Sequence, residues 1–301
     1  MKTPKQTFLR SFLWLIVAAS LSAMAFGQTV APANNQKEKA GIHEVVTVKQ
    51  DSKLLKRSVS YRVILPNDYK NGSTRYSVIY LLHGLFGHFD NWTMKTGVAE
   101  YAEHYKFIIV TPEGGDGWYT DSATVPNDKY ESYIIQELIP EVEKNYRTMA
   151  DRKHRFIAGL SMGGYGAIKF GLKYPDMFSL IGSFSGALDA PLRLEDNKNL
   201  RPSIVSVFGP DGSKTRKEND IFNLLRDASP DAVKNIPYIY MACGTEDFLF
   251  QTNRDFDNIL IEKKVPHEYR ERPGVHDWVF WDGQIQEFLR VANKMIQPIQ
   301  R

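Results

Sequence analysis

The feature that most constrains this chain is a series of nearly unbroken apolar runs, each closing on small residues and each followed by a helix-like or polar stretch. "YSVIYLLHG" (76–84), "KFIIVTPEG" (106–114), "RFIAGLS" (155–161), "FSLIGSFSG" (178–186) and "PYIYMACG" (237–244) all have this form. A strand with one wet face alternates apolar and polar residues, so runs without alternation describe parallel strands covered on both faces. Helical patterns at 98–105, 130–146, 163–174, 254–264 and 277–296 fall between or after them. The alternation predicts an α/β fold with a mainly parallel, doubly wound sheet and helices on both faces. Pro140 is expected to kink or interrupt the second helix. "IHEVVTVKQ" and "RSVSYRVILP" read as an opening strand pair around a turn at 51–53, and "HEYRER" (267–272) as a late strand. The charged stretch 187–237 breaks the rhythm and reads as a modest insertion or as loops and short helices.

In such sheets, functional residues gather at the carboxyl ends of strands. The run 155–161 ends there on "GLSMGGYG", with Ser161 between Gly159 and Gly163 and a helical pattern immediately after. Strand, sharp turn and helix around Gly-x-Ser-x-Gly present the serine hydroxyl at the top of a sheet as a nucleophile. An alcohol at neutral pH needs a base, and in this arrangement the order is serine, acid, histidine. Two histidines follow Ser161. His267 opens a strand and reads as structural, whereas His276 lies in the Pro-Gly loop of "ERPGVHDWVFW", which can carry an imidazole to the serine. Asp247, after the strand end in "MACGTEDFLF", fits the acid that orients the histidine. Glu246 beside it and Asp211 in the insertion are the alternatives.

A tetrahedral oxyanion needs two donors. The amide of Met162 opens the helix after the serine, and Leu85 in "LLHGLFGHFDNW" offers a second amide, with Gly84 allowing close approach. His83 is expected to support this loop, and His88 to face solvent. In "EGGDGWYTDSA", Trp118 and Tyr119 either wall a substrate pocket or pack in the core, and Asp121 can brace the loop.

Lys2, Lys5 and Arg10 precede an apolar segment, 12–25, that ends among small residues: the pattern of a signal peptide at 1–27, cleaved near 25–28. Residues 28–41 read as a disordered linker and 42–301 as one domain. Removal of 1–27 takes the formal charge from +3 to neutral, without the basic footprint of a nucleic-acid binder. After cleavage no segment is long enough for stable membrane insertion. Cys243 is the only cysteine, which excludes an intrachain disulfide, and it reads as a buried, inert thiol.

With "HGLFG", "WYTD", "GLSMGGYGA", "CGTEDFL" and "PGVHDWVFW" in this order, the sequence resembles the esterase D branch of the α/β-hydrolases. That branch includes S-formylglutathione hydrolases, tributyrin-type and feruloyl esterases and the mycolyltransferases. The resemblance spans about 42–289. It implies an α/β-hydrolase fold with a small or absent cap, a Ser161–Asp247–His276 triad, and oxyanion amides from Leu85 and Met162. The His83–Gly84 pair stands where S-formylglutathione hydrolases carry serine–glycine.

The expected function is an exported (secreted or periplasmic) serine carboxylesterase acting on short-chain acyl, acylated-sugar or feruloyl esters through an acyl-enzyme. It needs no metal or organic cofactor, and its partner is a small-molecule or carbohydrate-linked ester. The alternatives are an envelope acyltransferase, in which a sugar or lipid hydroxyl replaces water, and a non-catalytic binding module. Oligomeric state has no signal in the sequence.

Overall fold

The computed structural model describes residues 44–193 and 201–297; the expected signal peptide and linker lie outside the described residues. Eight strands form one sheet: β1 (Glu44–Ser52), β2 (Arg57–Leu65), β3 (Ser77–Leu82), β4 (Phe107–Pro112), β5 (Arg155–Leu160), β6 (Leu180–Phe184), β7 (Tyr238–Gly244) and β8 (His267–Arg272). Their spatial order is β1-β2-β4-β3-β5-β6-β7-β8. The pairs β1–β2 and β2–β4 are antiparallel, and every pairing from β4 through β8 is parallel. This is the α/β-hydrolase arrangement.

The apolar runs are unbroken because both faces of the central strands are covered. Every residue of β3, β4, β5 and β6 is buried. Successive side chains point to opposite faces, and they feed two separate cores. Val78, Tyr80, Ile157 and Met241 join Tyr165, Ile168 and Phe256 from the helices Met162–Lys173 and Phe250–Glu262. Ile79, Phe156, Ala158 and Tyr240 join Ile285, Phe288 and Leu289 from the helix Trp278–Ile296. Gly182 leaves room for that helix: a Cβ there would stand 2.6 Å from the Phe288 ring.

Three details depart from or sharpen the sequence reading. The hairpin turn falls after Ser52, not at 51–53, and includes Lys56 at φ 53°. The helix around Pro140 is interrupted upstream of the proline: Tyr133–Leu138 widens into a π-helix, and Ile139–Asn145 resumes as α-helix with Pro140 in its first turn. Proline lacks an N–H and collides with the carbonyl of residue i−4, and a wider turn relieves both conflicts. Within 187–237 lie the short helices Arg201–Phe208, Lys214–Asn219, Ile221–Arg226 and Pro230–Asn235. The last three are each started by a side-chain cap, from Ser213, Asp220 and Ser229 respectively.

Candidate active site

The loops following β3, β5, β7 and β8 converge at the carboxyl edge of the sheet. Ser161 sits between β5 and the helix Met162–Lys173 with φ 52°, ψ −115°. A non-glycine residue in that region stores roughly 1–3 kcal/mol of strain. The elbow is pinned by the Ser161 N–H on the Phe184 carbonyl (2.9 Å) and by the Ser161 carbonyl accepting from Ala187 N–H (3.0 Å). The flanking glycines are steric requirements. A Cβ on Gly159 would lie 2.5 Å from the Gly163 backbone, and one on Gly163 would lie 2.5 Å from the Leu82 carbonyl oxygen.

His276 lies in the loop after β8. Its Nδ1 is 2.8 Å from Asp247 Oδ2, and its Nε2 is 3.0 Å from Ser161 Oγ. The carboxylate can only accept, so Nδ1 carries the proton and Nε2 is free to accept from the serine hydroxyl. The Asp247 side chain is fully buried and also accepts the Leu249 N–H at 2.8 Å. Burial works to raise its pKa, but the hydrogen bonds from His276 and Leu249 outweigh it and hold the carboxyl below its ordinary value. The imidazole is clamped between rings, with Phe248 at 4.6 Å and Trp281 edge-on at 4.9 Å.

The other candidates have different partners. Glu246 accepts the Gly274 N–H at 2.6 Å and so ties the loop that carries His276. Asp211 is exposed in the insertion. His267 bridges the Val265 carbonyl (2.7 Å) and Asp257 (2.9 Å), anchoring β8 to the helix Phe250–Glu262. Burial, then the nearby Asp247 charge, push the Cys243 thiol up to about 12, which leaves it an inert thiol at neutral pH.

The loop after β3 presses against the serine: a Cβ on Gly84 would lie 3.4 Å from Ser161 Cβ. Its shape is fixed by the Gly87 N–H on the Gly84 carbonyl (3.0 Å), and by Phe86 at φ 59° donating its N–H to Asp116 (2.8 Å). His83 is buried beneath it. His83 Nε2 accepts the Gly114 N–H at 2.8 Å, so the proton is on Nδ1, which donates to the Gly84 carbonyl at 2.8 Å. His88, by contrast, has a side chain 69% exposed.

Trp118 and Tyr119 do not wall the cleft. They are 2% and 0% exposed. Trp118 packs edge-on against Tyr165 at 6.1 Å, and the Tyr119 hydroxyl donates to the His83 carbonyl at 3.0 Å. Both have positive φ. The turn they form faces inward and is held by Lys169, whose ammonium donates to the Tyr119 carbonyl (2.5 Å), Thr120 Oγ1 (2.8 Å) and Glu131 (2.8 Å). Asp121 braces the same loop by accepting from the N–H and hydroxyl of Ser132.

The residues that do line the cleft, a space of about 160 Å³, include Leu85, Phe86, Trp278 and Trp281 beside Ser161 and His276. The two tryptophans and Phe248 were not singled out in the sequence. Their signal was present as aromatics within five residues of His276 and one of Asp247. Among the described residues, no group of three or more His, Cys, Asp and Glu side chains is arranged to hold a metal ion, and no helix is long and apolar enough to cross a membrane.

The model of the family described as "Putative esterase" matches residues 52–291. The acetyl esterase of Caldicellulosiruptor saccharolyticus is 33% identical over 257 residues, covering 81% of this chain and 96% of that protein. A solved ferulic acid esterase superposes with a TM-score of 0.74 at 30% identity, covering 85% of this chain and 99% of its own. The fluorophosphonate-binding serine hydrolase F of Staphylococcus aureus gives 0.74 at 29% identity, again covering 85% and 99%.

Proposed function

The chain belongs to the Esterase family and is a carboxylic ester hydrolase of α/β-hydrolase fold, and from that premise we propose a serine mechanism with Ser161 as nucleophile. His276 Nε2 takes the hydroxyl proton as Ser161 Oγ adds to the ester carbonyl, and Asp247 stabilises the imidazolium that forms. The amides of Leu85 and Met162 receive the oxyanion. Met162 N–H is one of the unpaired donors at a helix start, a position suited to negative charge. His276 then protonates the departing alcohol, and water, activated by the same imidazole, releases the acid. The observation that carries this reading is the line of hydrogen bonds Asp247–His276–Ser161.

A cleft of about 160 Å³ favours a small acyl group, of the acetyl to butyryl class, over a bulky one. The likeness to an acetyl esterase supports the small end of that range. Export belongs to the same proposal: residues 1–27 are removed and 42–301 act as one domain joined to a linker at 28–41. Expression with the intact leader and mass measurement of the product should give an N-terminus near residues 25–28, and an intact Met1 would remove this part. For the mechanism, a fluorophosphonate probe should add to Ser161 of the wild type and leave Ser161→Ala unlabelled. Labelling at another residue would end the assignment.

A further inference from the structure

The cleft beside Ser161 does not end at Trp278. A second groove of about 380 Å³ begins there and runs past Met94, Thr96, Val279 and Asp282; the two cavities share Lys95 and Trp278. Apart from His276, Lys95 is the one ionisable side chain lining the first cleft. It is exposed, its ammonium lies 5.1 Å from the Trp278 ring, and among the described residues it meets no carboxylate within ion-pair distance. Asp282 lines the second groove with it but forms no ion pair to it. Its Oδ1 accepts the Gly97 N–H at 2.9 Å and its Oδ2 accepts the Tyr101 hydroxyl at 2.6 Å, so both oxygens serve the scaffold. Among the described residues Lys95 is thus a cation without an ion-pair partner at the junction of the two cavities, with the Asp282 charge also on the second groove.

The first cleft, about 160 Å³ and read above as holding the acyl group, leaves the wider groove beyond Trp278 for the alcohol half of the ester. That half carries the oxygen to which His276 delivers its proton. Resting on the serine-esterase reading above, we propose that Lys95 receives a carboxylate carried by the alcohol moiety, so that the enzyme prefers esters of acidic alcohols such as hydroxy acids, phenolic acids or uronic-acid sugars. The carboxylate stays ionised throughout. The acyl–oxygen bond breaks, the acyl group passes to Ser161 Oγ, and the alcohol oxygen leaves with the His276 proton. Trp278 contributes an apolar face on which a ring can lie next to the ammonium.

The test compares 4-acetoxybenzoate with 4-acetoxybenzamide, whose ring substituents match closely in size and differ in charge, and each of which holds one ester bond. The ratio of their kcat/KM values should fall about two- to fivefold in Lys95→Met and further in Lys95→Glu, the order expected for one solvent-exposed ion pair. In the wild type the ratio should shrink as salt is raised. A second pair, monophenyl succinate and phenyl butyrate, places the charge on the acyl side, and its ratio should be insensitive to Lys95. Ratios unchanged by either substitution, or a change confined to the succinate pair, would overturn the proposal. If the wild type hydrolyses neither neutral ester, the serine-esterase reading is what has failed. Calorimetric binding of 4-hydroxybenzoate then decides for Lys95 separately: weaker binding in Lys95→Met supports the site, and equal affinity removes it.

Discussion

His276 Nε2 stands 3.0 Å from Ser161 Oγ across 115 residues of sequence. That distance exists because β5 and β8 end on the same edge of the sheet, separated by β6 and β7, and because the loop after β8 folds back across β7. Glu246 fastens that loop through Gly274, and Phe248 and Trp281 hold the ring in place. The site is thus positioned by strand order first and by local contacts second.

Asp247→Asn should retain the fold and lower kcat by about 10³–10⁴-fold, because an amide facing Nδ1 favours the wrong imidazole tautomer. Steady-state kinetics on p-nitrophenyl acetate, with circular dichroism as the control for folding, measure this. A loss below tenfold would mean that another acid orients His276.

Gly163→Ala should destabilise the protein by about 1–3 kcal/mol. Its Cβ meets the carbonyl oxygens of Leu82 and His83, which are backbone and cannot turn aside. Urea titration should show a lower midpoint at unchanged slope. The displaced end of β3 carries the loop of Leu85, proposed above to receive the oxyanion, so kcat should fall as well.

Tyr119→Phe tests the support under that loop. The lost hydroxyl leaves the His83 carbonyl without this donor in a buried site, at a cost of about 1–3 kcal/mol. Thermal melts read the stability term. The kinetic readout is a fall in kcat about tenfold with KM nearly constant, as expected when a transition-state donor is misplaced. An unchanged kcat would confine Tyr119 to packing.

Acid stability should depend on Glu131. Burial acts to raise its pKa, but the Lys169 and Lys173 ammonium groups outweigh it and bring the carboxyl down to about 2 from an ordinary 4.5. A folded-state pKa below the unfolded value means stability that is complete above about pH 4.5 and lost as the pH falls toward 2. Glu131→Gln should flatten stability against pH over that window, and should also destabilise the neutral-pH protein by about 3–5 kcal/mol by leaving Lys169 buried without its partner. Denaturation midpoints at stepped pH check both.

The central strands were legible because burial on both faces leaves no alternation to misread, and the elbow was legible because Gly159 and Gly163 have no steric alternative. The short helices were not. Asn91–Lys95 and those of the insertion are five to eight residues long, too short to show a period, and only the last three of the insertion have side-chain caps. The first turn was misplaced because "KLLK" contains no glycine or asparagine, yet Lys56 takes positive φ while Leu55 is buried. Trp118 and Tyr119 could be read as pocket or core because a strand-end aromatic suits either. Lys169, buried on the inner face of a helix, decides the matter, and a lysine gives no sequence sign of such a position.

The central claim is that Ser161 Oγ is the nucleophile that takes up the acyl group. Turnover of p-nitrophenyl acetate and butyrate by the purified protein and by Ser161→Ala tests it most directly. The account expects hydrolysis by the wild type and a loss of about 10³-fold or more in the variant, with both proteins equally folded. Equal rates would contradict it.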